Sequence, residues 1–138
     1  QVINRHEVLR SVLKSEHDQR WQEVLDADSW QLNIIDASSD VTAQIGALIR
    51  QPFDLSRDYM LRATIINSGE NDHLLVLVLH HIAADGWSMP VLLREFVAYY
   101  HSYEQGSAAI LPVLPVQYAD YAIWQRRYIS GELLSAQL

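Results

Sequence analysis

Residues Leu74 to Leu79 read Leu-Leu-Val-Leu-Val-Leu, and two histidines follow at once, His80 and His81. This run constrains the fold more than any other stretch. It is far shorter than the about 20 apolar residues that cross a bilayer as a helix. It has no polar alternate face, so as a strand it should be central and covered on both sides. Such a strand needs layers around it. The expectation is therefore an α/β chain, with His73 to His80 as a central strand and helices packed on its sheet.

The neighbouring segments supply those layers. Tyr59 to Asn67 is rich in β-formers, and the polar connector Ser68-Gly69-Glu70-Asn71-Asp72 predicts a hairpin with the following strand. Val2 to Lys14 reads as an amphipathic helix, with Val2, Ile3, Val8, Leu9, Val12 and Leu13 near helical spacing. Short strands are expected at Trp21 to Leu25 and, more weakly, at Gln31 to Ile35. Asp40 is placed to cap a helix carrying Val41, Ile45, Leu48 and Ile49, which Pro52 stops. Ser88 is placed to cap a helix to about Glu104, with Met89, Leu92, Leu93, Phe96, Tyr100 and Tyr103 as its apolar stripe. Pro90 is tolerated in its first turn. Gly106 to Pro115 reads as a loop and Gln117 to Tyr128 as a helix. Gly131 then allows a break before a last helical stub with Leu133, Leu134 and Leu138.

Composition narrows the function. The chain has 138 residues, 49% of them apolar and 20% charged, as in an ordinary globular domain. Ten basic against seventeen acidic residues leave a net charge of −7, which disfavours polyanionic partners such as nucleic acid or anionic lipid. There is no cysteine, which removes disulfide scaffolds and thiol nucleophiles and fits a cytoplasmic setting. No internal repeat or inter-domain linker is visible. Residue 1 is Gln, and both ends read as the inside of elements, so the expectation is a piece of something longer.

The stretch that carries chemistry is Leu79-His80-His81-Ile82-Ala83-Ala84-Asp85-Gly86-Trp87-Ser88. It lies where a strand ends and before a helix begins, a place where a scaffold aims side chains at an opening. Adjacent strand residues point to opposite faces, so His80 and His81 should do different jobs. Opposed directions also make the pair a poor metal chelate, and the helical spacing of a zincin is missing. Two readings remain open on the residues alone. In one, the histidines are satisfied core residues and Asp85 caps the next helix. In the other, a histidine at the strand end acts as a base while Asp85 holds the loop. Gly86 permits a close backbone approach or a positive φ. His6, His17, His73 and His101 read as surface or helix residues. Tyr118, Tyr121, Trp124 and Tyr128, spaced by three, three and four, read as a packing face rather than a base-stacking one.

Taken as a string, His80-His81-Ile82-Ala83-Ala84-Asp85-Gly86 matches HHxxxDG. Upstream, Arg5-His6-Glu7-Val8-Leu9-Arg10 matches RHExLR. Downstream, Tyr118-Ala119-Asp120-Tyr121-Ala122-Ile123-Trp124-Gln125 matches YxDYAxWQ. In these motifs and their order the chain resembles the condensation domain of non-ribosomal peptide synthetases. It departs from the family in small ways. Ser11, Val12 and Leu13 stand where the first motif often continues with Thr and then Phe, and Asp58-Tyr59 replaces a usual Gly-Pro.

The resemblance implies a lobe like that of chloramphenicol acetyltransferase, a mixed sheet with helices packed on it. Residues 1–138 would be most of the N-terminal lobe of a two-lobed domain, truncated at both ends and without its C-terminal lobe. It implies amide formation between acyl groups tethered as thioesters to carrier proteins, in a tunnel between the lobes. By motif position His81 is the catalytic histidine. His80, Asp85, Gly86, Arg5 and Arg10 support the site, with Asp85 expected to pair with Arg5 or Arg10 and His80 to be a packed neighbour. Trp87 is expected in the core rather than on a tunnel wall, with Ser88 beside it, and Asp120 and Gln125 are polar anchors. No cofactor or metal is expected to bind directly, since the substrates ride on phosphopantetheine arms. The implied partners are flanking carrier domains, the second lobe and neighbouring synthetase domains. His80 argues against the cyclising subtype, which carries Asp there, and the string leans toward joining two L-configured units. A coenzyme A-dependent acyltransferase of the same fold, or a non-catalytic binding module, is the alternative.

Overall fold

The computed structural model describes residues 1–130. The break expected at Gly131 and the apolar residues Leu133, Leu134 and Leu138 lie outside the described residues.

The first fourteen residues do not form one helix. Val2–Arg5 is a single α-turn (α1), Glu7–Arg10 a 3-10 turn, and Ser11–Glu16 a strand (β1). His6 lies between the two turns with φ −104° and ψ 97°, an extended conformation that interrupts helical hydrogen bonding. The Ser11 hydroxyl donates to the Glu7 carbonyl at 2.8 Å and closes the second turn. β1 then pairs antiparallel with Gln19–Val24 (β2), from Ser11 opposite Val24 to Glu16 opposite Gln19. His17 and Asp18 join them with φ of 45° and 65°, the left-handed pair that a two-residue hairpin needs. Val8, Leu9, Val12 and Leu13 satisfy a helical period, but strand pairing prevails at the β-branched Val12, which is fully buried.

Among the described residues the main sheet is mixed and three-stranded: Asn33–Asp36 (β3), Leu61–Asn67 (β4) and His73–Leu79 (β5), in the order β3-β4-β5. β3 runs parallel to β4, and β5 antiparallel to it. A parallel neighbour requires a crossover, and Val41–Arg50 (α2) lies within it. The Asp40 carboxylate caps α2, accepting from the Ala43 N–H at 2.9 Å. Gln51, which precedes Pro52, turns extended with ψ 120° and ends the helix. The hairpin β4–β5 closes through Ser68, whose N–H donates to the Asp72 carbonyl at 2.8 Å.

The centre of the sheet is β4, not β5. Leu61, Ala63, Thr64 and Ile66 of β4 are buried, whereas Leu74 and Leu75 of β5 are 43% and 42% exposed. Among the described residues β5 is an edge, because the parallel crossover places β3 on the far side of β4. The apolar run foretold a strand, but pairing order set its place.

Ser88–Glu104 (α3) lays Leu92 and Glu95 inward, while Tyr100 and Tyr103 of the expected stripe are 55% and 87% exposed. The core joins Ile3, Leu9, Leu61, Ala63 and Leu92, so it ties the first two turns to β4 and α3. Tyr118–Tyr128 (α4) starts on a capping box between Gln117 and Asp120. Among the described residues no helix is long and apolar enough to cross a membrane.

Candidate functional site

The RHExLR segment and the histidines are neighbours through one residue. The Met60 N–H donates to the Leu9 carbonyl at 2.9 Å, and the His80 N–H donates to the Met60 carbonyl at 3.0 Å. Met60 is buried, so these bonds hold the end of β5 against the turn Glu7–Arg10.

His80 and His81 have different surroundings. His80 is half-buried, its ring edge-on to Phe53 with centroids 5.5 Å apart. Its Nδ1 accepts from the Ile82 N–H at 3.1 Å, which in the neutral ring leaves the proton on Nε2. The His80 carbonyl accepts from the Ala83 N–H at 3.0 Å and starts the loop. His81 is exposed.

Asp85 serves its own loop. One of its carboxylate oxygens, Oδ1, accepts from the Ser88 hydroxyl at 2.7 Å, the Ser88 N–H at 2.9 Å and the Trp87 N–H at 3.1 Å. The Asp85 N–H in turn donates to Ser88 Oγ at 3.2 Å. The Ser88 hydroxyl, helped by the Ser88 and Trp87 amides, holds the Asp85 carboxyl below the usual carboxylate range.

The expected pairing of Asp85 with Arg5 or Arg10 is not formed. Arg5 Nε meets Glu95 Oε1 at 3.2 Å, and its guanidinium also donates to the Pro112 carbonyl. Arg10 donates to the Leu25 carbonyl and pairs with Glu7 at 3.5 Å. The physical reason is proximity. The amides of the α3 first turn lie two and three residues from Asp85, so closing that ring orders very little chain.

Other expectations also change. Gly86 has neither a positive φ nor a close neighbour; a Cβ there would meet nothing within 4 Å. Trp87 is 88% exposed and is not a core residue. His6 is no surface residue: its side chain is 21% exposed and its Nε2 donates to Glu95 Oε2 at 2.6 Å. Glu95, which no motif marks out, is the buried residue that receives both Arg5 and His6. Its one sequence signal is a carboxylate three residues after Leu92, on the inward face of an amphipathic helix.

A cleft of about 410 Å³ opens between the first turns and the start of α3, lined by His6, Leu9, Ala84, Asp85, Trp87 and Val91 among others. His81 is not in its lining. The third motif joins the first through Gln117, whose Nε2 donates to the Arg5 carbonyl at 3.0 Å and whose Oε1 accepts from the Glu7 N–H at 3.2 Å. Asp120 accepts from the Gln117 N–H at 2.9 Å and so anchors the start of α4. Tyr118, Tyr121, Trp124 and Tyr128 pack on one another, with centroids 5.9, 5.7 and 5.1 Å apart in turn, yet each stays about half exposed.

Comparison with known proteins gives this arrangement its family. The family model of the condensation domain matches residues 1–138. One component of the linear gramicidin synthase of Brevibacillus parabrevis is 39% identical over 145 residues, covering 99% of this chain and 3% of that protein. The phosphinothricin tripeptide synthetase PhsC of Streptomyces viridochromogenes is also 39% identical over 145 residues, covering 96% of this chain and 13% of that protein. Among solved structures, the X-domain from teicoplanin biosynthesis superposes with a TM-score of 0.86 at 36% identity, over 95% of this chain and 29% of its own. The chain thus spans a small part of each of these relatives. With three motifs drawn onto one junction, a matching mixed sheet and a family model that covers every residue, the chain belongs to the condensation-domain family.

Proposed function

We propose that this chain is most of the N-terminal lobe of a condensation domain that forms amide bonds between carrier-tethered thioesters. The acceptor α-amine attacks the donor thioester carbonyl, a tetrahedral intermediate forms, and the C–S bond breaks as the carrier thiol leaves. His81 takes a proton from the attacking nitrogen or positions the amine, and the lobe opposite completes the tunnel. The lobe binds no cofactor of its own, because phosphopantetheine arms deliver both substrates. The partners are the flanking carrier domains and neighbouring synthetase domains. The observation that carries this reading is the backbone line Leu9–Met60–His80, which sets RHExLR beside the histidines and leaves His81 open to an approaching substrate.

The test is amide formation by the complete two-lobed domain with loaded carriers, wild type against His81→Ala. General base catalysis is worth about 10²–10⁴-fold, and a loss in that range is expected while carrier binding survives. Near-normal turnover by a folded His81→Ala domain would refute the assignment.

One observation favours a second reading, a partner-binding module. The X-domain of 36% sequence identity is known in complex with OxyB. An intact wild-type domain that binds its partners but forms no amide would select that reading. Turnover with a coenzyme A thioester in place of a loaded carrier would select the acyltransferase of the same fold.

A further inference from the structure

Glu95 is a buried carboxylate that neither the HHxxxDG motif nor the mechanism above uses. It is 4% exposed and sits on the inward face of α3, three residues beyond Leu92 and seven beyond Ser88. Residues at such spacings share one helix face. Its two oxygens are divided between two donors. Oε1 takes Arg5 Nε at 3.2 Å, and Oε2 takes His6 Nε2 at 2.6 Å. Buried charges are kept only when paired in this way, and removing a partner leaves the other stranded. Leu92 packs with Ile3 and Leu9 beside this junction. One side of α3 is thus fastened to the RHE segment by a charge cluster and an apolar contact.

The same helix carries the loop at its other end. Asp85 is tied to the first turn of α3 by the Ser88 hydroxyl and by the amides of Trp87 and Ser88. The distance from Ser88 to Glu95 is about 10 Å, two helical turns, over which a helix behaves as a stiff rod. His6 lines the cleft that Asp85, Trp87 and Ser88 also line. A shift of α3 against the first turns therefore changes that cleft directly.

We propose that Glu95 is a positioning residue: by holding Arg5 and His6 it sets α3, and with it the loop Asp85–Ser88, at a fixed separation from the RHExLR segment. The proposal rests on the condensation reading for its catalytic consequence, though not for its geometry. A misplacement of about 1 Å in a site costs on the order of 10²-fold in rate, so turnover is the sensitive readout.

The experiment uses the complete condensation domain with loaded carriers and 5-fluorotryptophan incorporated, the Trp87 resonance being assigned with Trp87→Phe. Glu95→Gln and His6→Phe each lower kcat by about tenfold or more, with KM for both carriers held within about twofold, and each shifts or broadens the Trp87 resonance. His6→Gln, whose amide nitrogen reaches the place of Nε2, restores both toward wild type. The double variant Glu95→Gln/His6→Phe is no worse than the more damaged single variant. If Glu95→Gln does not fold, the two His6 variants decide. The proposal fails if kcat and the Trp87 resonance hold while only the melting temperature falls, or if His6→Gln fares no better than His6→Phe. Failure of the condensation reading is separate: the wild-type domain would then form no amide, while the Trp87 resonance of the variants would still report the junction.

Discussion

Asp85 accepts three hydrogen bonds on a single oxygen, and that geometry sets its titration. Its carboxyl is held below the usual range, chiefly by the Ser88 hydroxyl. A depressed folded value means that the stabilisation is full above the usual carboxylate range and is lost as pH falls through the depressed value. Ser88→Ala removes the largest cause. The Asp85 carboxyl should then titrate at higher pH, and the start of α3 should loosen earlier in acid. A carbon-13 carboxyl titration of both forms checks this, and superimposable curves would contradict it. Asp85→Ala is expected to lower the urea midpoint and to fray α3 while the fold persists. A stable but inactive Asp85→Ala domain would instead assign it a direct catalytic role. Gly86 has open space where a Cβ would stand, so Gly86→Ala should leave stability within about 0.5 kcal/mol.

At the scale of elements, local chemistry and long-range pairing divide the chain. α2 was legible because Asp40, the apolar spacing and Pro52 all act within one segment. Asp40→Ala should cost about 1 kcal/mol, read from chemical denaturation, since it strands the Ala43 N–H. The first hairpin was legible only in its second strand, expected at Trp21 to Leu25 and found at Gln19–Val24. Its turn is His17-Asp18 rather than Asn-Gly, so its strongest local signal is missing. Each non-glycine residue held at positive φ carries strain. The double change His17→Asn/Asp18→Gly should therefore raise stability by about 1 kcal/mol in the same experiment. A loss of stability would mean that the hairpin is not held as described. β5 shows a different limit. Its unbroken apolar run announced a strand and its hairpin partner, but nothing in it told an edge from a centre.

For the whole molecule, a small buried core coexists with much exposed apolar surface. Met60, Ile66 and Val12 are fully buried, and Ile66→Ala should cost about 2–5 kcal/mol. Trp87, Tyr103, Ile110 and Val113 are each more than 80% exposed, and the aromatic row of α4 adds to them. Exposed apolar area of this kind drives association. The 138-residue chain by itself should bind a hydrophobic dye, self-associate in light scattering and form no amide. A monodisperse, dye-silent chain that condensed loaded carriers unaided would overturn that expectation.

What depends on neighbours along the chain is readable from the residues: the hairpin β4–β5, helices α2, α3 and α4, and the motif string that carries the family. Each follows from spacing, caps and turn residues within a few positions of one another, except that Ser88, expected to cap α3, is its first helical residue and Asp85 takes the amides there. Packing between distant segments set which strand is central and which charge meets which, so that Arg5 meets Glu95, together with His6, and not Asp85. Those outcomes depend on which segments pack together, and a carboxylate in a sequence carries no mark of the cation it will meet. Asp85 bonded to the nearest amides because short loops close cheaply, while Arg5 and His6 were brought to α3 by the packing of Ile3, Leu9 and Leu92.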